Sequence, residues 1–274
     1  MRLLSDWTIY LLTLCVVLWV LFSGTDKDAP PPPPEAINEE GGMLPPASVL
    51  DEPVLVQVTS PRDGAGTAFA INTGGDWLTA RHVVDGCSTV SLLIGRNTYT
   101  PARQVKISNR SDLALLETDL NTRPVTLDTG AGLQLNSLGF HVGYPQGRPG
   151  EVSSRLLSRS RLISRGHRRG NEPVLTWAET GRTRGLFGSL AGLSGAPVYD
   201  SNGLVRGVVV AESARRGRLY TSAPEAIARF IKATDVDLAG QPPRRFTTQS
   251  YGSEADFARR NLQVVKIACD IDGT

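Results

Sequence analysis

Gly192-Leu193-Ser194-Gly195-Ala196-Pro197 decides how this 274-residue chain is read. A serine between glycines, with a proline three residues later opening a strand, describes a tight turn that leaves the hydroxyl exposed. Gly192 has no Cβ, so its backbone reaches conformations closed to other residues and can aim an N–H at a bound carbonyl. Together with the N–H of Ser194 this makes two donors for a developing oxyanion. A GxSG string also describes ordinary turns, so the sequence upstream has to decide.

Two upstream segments do so. Residues 77–84 (WLTARHVV) end an apolar, strand-like run on His82, and residues 111–116 (SDLALL) put Asp112 at the mouth of another. A carboxylate beside an apolar run is costly to bury unless it is hydrogen-bonded; an imidazole in need of orientation supplies the bond. Taken singly, Ser194 reads as a turn serine, His82 as a core histidine and Asp112 as a strand-edge cap. Together, the order His82, Asp112, Ser194 is one of three known chain orders of a nucleophile–base–acid triad. His141, in LGFHVGYP, and His167, in an arginine-rich stretch, are followed by no acidic block in that order. His82 is the candidate base.

LTARHVV, SDLALL and GLSGAPV resemble the three signature blocks of chymotrypsin-like (trypsin-like) serine peptidases, and within them the bacterial HtrA/Deg-like branch. The resemblance covers about residues 50–235. It implies an all-β fold of two antiparallel six-stranded β-barrels, the first over about 50–130 and the second over about 131–223, with a short helix after the second. It makes His82 the general base, Asp112 its orienting partner, Ser194 the nucleophile, and the N–H groups of Gly192 and Ser194 the oxyanion hole. No metal or organic cofactor is implied. The activity expected is that of a serine endopeptidase acting on protein or peptide substrates, in envelope protein quality control or processing. An inactive peptidase-fold scaffold or binding module, and an esterase-like activity, are the alternatives.

Composition fits such a fold: aromatics are only 6% of residues, with 28 glycines and 18 prolines for tight turns. Residues 54–58, 68–71, 90–94 and 204–210 read as strands, and Asp200-Ser201-Asn202-Gly203 as a hairpin turn. Residues 224–233 read as a helix with Ala226, Ile227, Phe230 and Ile231 on one face. In the family the strand after that hairpin presents an edge to the substrate, which implies Val208, Val209 and Val210, continuing to Ala211. The floor of the primary pocket falls at Gly188. Nothing acidic lies there, so a small or medium apolar side chain is expected. Digestive relatives carry an aspartate just before the nucleophile as an activation switch, whereas this chain has Leu193. The loop 188–192 is therefore expected to order on binding a substrate or partner instead.

Outside this region, residues 7–23 (WTIYLLTLCVVLWVLFS) form an uncharged apolar stretch near the lower length limit of a membrane span. Arg2 precedes it and mixed charges follow. The expectation is an uncleaved signal anchor in a bacterial inner membrane, with residues 1–6 cytoplasmic and the catalytic domain periplasmic; a cleavable signal peptide is the competitor. The segment 24–49, with Pro30 to Pro34, reads as a stalk. Net charge is only +2, so the arginines at 155, 159, 161, 165, 168 and 169 are a local patch, read as a solvated face. Nucleic acid is not an expected partner, and oligomeric state is not legible. Cys87 and Cys269 are available for a disulfide in an oxidising compartment, but sequence does not establish their proximity. The tail 236–274 is too short for the PDZ domain of many HtrA-like proteins. It carries a helical turn or two near 254–260 and a strand near 262–268, and either packs on the catalytic domain or binds a partner.

Overall fold

The computed structural model describes Trp7 and residues 10–16, 41–130 and 132–271. Strands dominate, in two sheets of seven. The first sheet has the order β5(Tyr99–Pro101), β4(Thr89–Leu93), β14(Val264–Asp270), β2(Gly64–Ala70), β3(Asp76–Thr79), β7(Ala114–Glu117), β6(Gln104–Ile107). The second has the order β1(Glu52–Val58), β9(Gly150–Gly166), β10(Gly170–Arg182), β13(Arg218–Ser222), β12(Val205–Ser213), β11(Pro197–Tyr199), β8(Leu138–Gly143). β8 also pairs with the near half of β9, so six strands of this sheet close on themselves. Full closure removes the exposed edges that an open sheet would leave.

One strand lies in the other sheet from the one expected, and one strand of the tail, assigned to no sheet by sequence, completes the first. Residues 52–58, placed by sequence at the start of the first barrel, pair instead in parallel with the far half of β9. Val54 and Val56 pack there against Leu162, Val174, Val210 and Tyr220. The first sheet is completed from the other end of the chain: β14 inserts antiparallel between β2 and β4, with Val264 opposite Phe69 and Ile267 opposite Leu92. Val265 and Ile267 are fully buried in its interior beside Trp77, Ala114 and Leu116. The segment 236–271 is thus part of the fold. Phe246 packs on Phe140 and stacks on Tyr199 at 4.6 Å between centroids. The helix Tyr251–Arg260 is bolted to β9 by a buried ion pair, Arg259 to Glu151 at 2.9 Å.

Between the two sheets lies a shared core of Phe69, Leu78 and Leu115 from the first and Phe140, Val142 and Val208 from the second. The helix Pro224–Thr234 covers it, burying the predicted face Ala226, Ile227, Phe230 and Ile231. Each of the larger side chains contributes about 1.5–3 kcal/mol by leaving water.

The end of the expected stalk lies on the second sheet: Gly41 N–H donates to Leu135 O, and Leu44 is buried against Leu133 and Leu175. The expected span 7–23 falls largely outside the described residues. Its described part, Trp7 and residues 10–16, is helical with exposed apolar side chains. Among the described residues no helix is long and apolar enough to cross a membrane.

Candidate active site

β3 and β7 run antiparallel with Thr79 opposite Ala114, so the residues just after β3 and just before β7 meet at one end of the first sheet. The helical turn Arg81–Val84 begins there and carries His82. Asp112 sits in the turn entering β7, with Ser108 and Ser111 hydroxyls 2.8 Å apart bracing it. One carboxylate oxygen of Asp112 accepts the His82 backbone N–H at 2.9 Å, and the other meets His82 Nδ1 at 2.6 Å. The imidazole is thereby fixed in position and tautomer, with Nε2 left over. Its side chain is 34% exposed against 13% for Asp112, so the ring reaches solvent while its partner does not.

Burial alone would lower the His82 pKa, but the charge and hydrogen bond of Asp112 outweigh it and hold the imidazole above its ordinary 6.5. The same contact overrides burial at Asp112 and keeps that carboxyl below the usual range. His141 behaves in the opposite way. Fully buried, it meets Ser154 Oγ at 2.7 Å and is pushed down to about 3, so it is a neutral core residue.

Ser194 enters from the second sheet, just ahead of β11. Gly195, with φ +86, makes the turn, and a Cβ there would overlap the Thr67 carbonyl and the Thr79 hydroxyl. Thr67 on β2 clasps the turn from the first sheet. Its N–H donates to Ser194 O at 2.9 Å and its hydroxyl to Gly192 O at 2.8 Å. A Cβ on neighbouring Gly66 would meet both the Val83 side chain and Ser194 O, so the Ser194 turn lies one residue's width from the helical turn bearing His82. The N–H groups of Gly192 and Ser194 have no acceptor among the described residues, and Ser194 Oγ makes no hydrogen bond there. Two free donors beside a free hydroxyl are what acyl transfer requires.

On the substrate side, Val208 and Val209 are buried and already paired with the other strand at this point. Val209 accepts from Gly195 N–H and donates to Ala196 O. Beyond Val209, β12 pairs with β13 alone, so its open edge runs from Val210 to Ser213, two residues later than the sequence implied. Gly188 is exposed, and its carbonyl accepts from Arg182 Nη1 at 3.0 Å. Glu212 reaches the same loop, accepting Leu190 N–H at 2.7 Å and the Ser189 hydroxyl. Cys87, five residues past His82, is disulfide-bonded to Cys269 on β14 with Cα atoms 5.5 Å apart.

Three residues near the candidate triad were invisible in the sequence. Thr67 is one and Gln146, treated below, is another. The third is Glu172 on β10, whose Oε1 accepts the Asp112 N–H at 2.8 Å while Oε2 is buried without a partner. Burial first, and then the Asp112 charge, push its pKa up to about 8. No string around Glu172 announces this; its partner is 60 residues away.

Comparison with known proteins gives a concordant picture. The chain is 27% identical over 100 residues to HhoB of Synechocystis sp., which carries a serine protease name. The match takes in 36% of this chain, and the chain spans about a quarter of that relative's length, 24%. Among solved structures, the active form of the Rv3671c protease from M. tuberculosis superposes with a TM-score of 0.51 at 16% identity, over 76% of this chain and 98% of that one. Its inactive form gives 0.50 at 22% identity, over 62% and 84%. These likenesses show the fold. The model of the trypsin-like peptidase domain matches residues 66–208, just over half of the chain and spanning all three candidate triad residues. The chain belongs to the trypsin-like peptidase domain family.

Proposed function

We propose that this protein is a serine endopeptidase that cleaves peptide bonds through an acyl-enzyme. The observation that carries the reading is the His82–Asp112 pair, joined by two hydrogen bonds and lying beside a serine turn in which the Gly192 and Ser194 N–H groups have no acceptor among the described residues. His82 Nε2 takes the Ser194 proton as Oγ attacks the scissile carbonyl carbon. The N–H groups of Gly192 and Ser194 hold the resulting oxyanion. His82 then gives its proton to the leaving amine as the C–N bond breaks. Water, deprotonated by His82, attacks the ester and restores Ser194. Asp112 keeps Nδ1 protonated and steadies the imidazolium. The peptide adds as a strand to the open edge from Val210 to Ser213. Its primary side chain is small or medium and apolar, since the carboxylate that reaches loop 187–190 among the described residues, that of Glu212, already holds two donors.

The same proposal has residues 7–23 as a signal anchor in a bacterial inner membrane, with the peptidase domain periplasmic and acting on envelope proteins. The uncharged run behind Arg2 supports it. So does the Cys87–Cys269 disulfide, a bond that persists in oxidising compartments. A protease added to spheroplasts should digest the domain in intact cells; protection would refute the topology.

A scaffold role is the second reading, favoured by the missing bond between Ser194 Oγ and His82. Such bonds often tighten only when substrate arrives. Fluorophosphonate labelling of the full chain in detergent, beside Ser194→Ala and His82→Ala, separates the two. Labelling that needs both residues is expected; no labelling of the folded wild type means a scaffold.

A further inference from the structure

The loop carrying the oxyanion donors is held in place by a residue that departs from ordinary backbone geometry. Gln146 lies in the short helical turn Pro145–Gly147 with φ +53 and ψ +27, a left-handed conformation that disfavours side chains. A strained residue persists where its surroundings over-determine it. Here all three of its donors go to one segment. Its backbone N–H reaches Ala191 O at 2.5 Å, and its side-chain amide reaches Phe187 O at 2.7 Å and Ser189 O at 2.9 Å.

The segment needs such help. Phe187 is 81% exposed and Gly188 and Ser189 are also exposed, so burial does little to order it. Arg182 takes Gly188 O, and Glu212 takes Leu190 N–H and the Ser189 hydroxyl. Gln146 takes the three carbonyls that remain on alternate residues. The last of these sets the chemistry. In a trans peptide the C=O and the N–H point in opposite directions. Fixing Ala191 O against Gln146 therefore turns the Gly192 N–H to the other side and leaves it free for a substrate. Gly192 itself has φ +96, and a Cβ there would overlap Tyr144 O, so this peptide has little room to sit otherwise.

We propose that Gln146 is the positioning residue of the oxyanion loop: it holds residues 187–191 in the competent arrangement before substrate binds, in place of the acidic switch that Leu193 replaces. On this proposal the loop is ordered before binding, the opposite of the ordering on binding that the sequence led one to expect. The inference rests on Ser194 being the nucleophile.

The test compares the full chain with Gln146→Gly and Gln146→Glu. Glycine suits the left-handed backbone and keeps the N–H, so thermal stability should hold or rise while both amide donors vanish. Glutamate keeps the size but turns donors into acceptors facing two carbonyls. Phosphonylation by the fluorophosphonate, in which Ser194 Oγ bonds to phosphorus and fluoride leaves, should slow about 10–100-fold in the first and further in the second, with the constant for reversible binding little changed. Hydrogen exchange over residues 187–194 should speed up in both. Wild-type phosphonylation rates and unchanged exchange in Gln146→Gly would overturn the proposal. If the wild type is not phosphonylated at all, the peptidase reading fails, and the exchange data still decide whether Gln146 holds the loop.

Discussion

The two halves of the site are built by different means. The half on the first sheet, His82 with Asp112, is joined side chain to side chain, and its members sit at adjoining ends of neighbouring strands. The half on the second sheet, Gly192 to Gly195, is held almost wholly through its main chain. Thr67 grips two of its carbonyls, Gln146 grips the one before, and glycines accept the conformations that result. A base needs a particular ionisable group, which only a side chain provides. An oxyanion hole needs two amide directions, which any sequence offers if the backbone is fixed. The first half is therefore fragile to chemistry and the second to geometry.

The largest expected effect lies where the halves meet. Ser194→Ala and His82→Ala should each lower kcat for peptide hydrolysis about 10⁶-fold, and the double variant no further, since the two act as a unit. Additive losses in kcat would break the comparison. Asp112→Asn should cost about 10⁴-fold by favouring the wrong tautomer. The rate should also fall on the acid side with a midpoint above 6.5, because Asp112 favours the protonated imidazole and the base must be neutral. In Asp112→Asn that midpoint should move down; a fixed midpoint would show that another group titrates.

Stability effects are smaller and sharpen the geometric side. Opening the Cys87–Cys269 bond with Cys269→Ser releases a link spanning 182 residues and should cost about 2–5 kcal/mol in denaturant unfolding. Gly195→Ala should cost at least ~2 kcal/mol, for it adds a Cβ at φ +86 against Thr67 O. Its melting temperature should fall even though no functional group is lost; an unchanged value would remove the case for a backbone-built nucleophile turn.

The last effect is one of pH dependence and concerns Glu172. Its pKa rises from the ordinary 4.5 to about 8, so the folded protein binds a proton that the unfolded chain has released. Stability is then fully present below about 4.5 and declines as pH rises towards 8. Glu172→Gln, which keeps an acceptor for the Asp112 N–H and cannot ionise, should flatten that slope in melts run across this range. An equal slope in both proteins would show that Glu172 is not the group responsible.

What the sequence disclosed follows the same division. His82, Asp112 and Ser194 each sit in a short string that reads as an ordinary turn, core or cap on its own, and the three became legible only through their order along the chain. The strands near 54–58 and 262–268 were also legible as strands, but their sheets were not, because alternation reports burial and says nothing of partners. Val54 found β9 and Val264 found β2, both far along the chain. The open edge of β12 was misplaced by two residues because only the pairing of Gly195 and Ala196 with Val209 fixes how far along β12 the segment leading into β11 reaches. Thr67, Gln146 and Glu172 carry no local signal at all. Each acts on a segment between 41 and 127 residues away, and only the assembled fold brings them to it.

The insertion of β14 between β2 and β4 has a bearing on the order of synthesis. Every other strand of both sheets leaves the ribosome before residues 264–270 do. Until then the sheet bearing His82 and Asp112 has a slot in its middle, and β2, which carries Thr67, has an unpaired flank. A nascent chain therefore presents its Ser194 turn to an unfinished partner, and the site is complete only once residues 264–270 have been made. A destructive enzyme gains from such lateness: while its own unfolded segments are still the nearest peptides, it has no finished site with which to cut them.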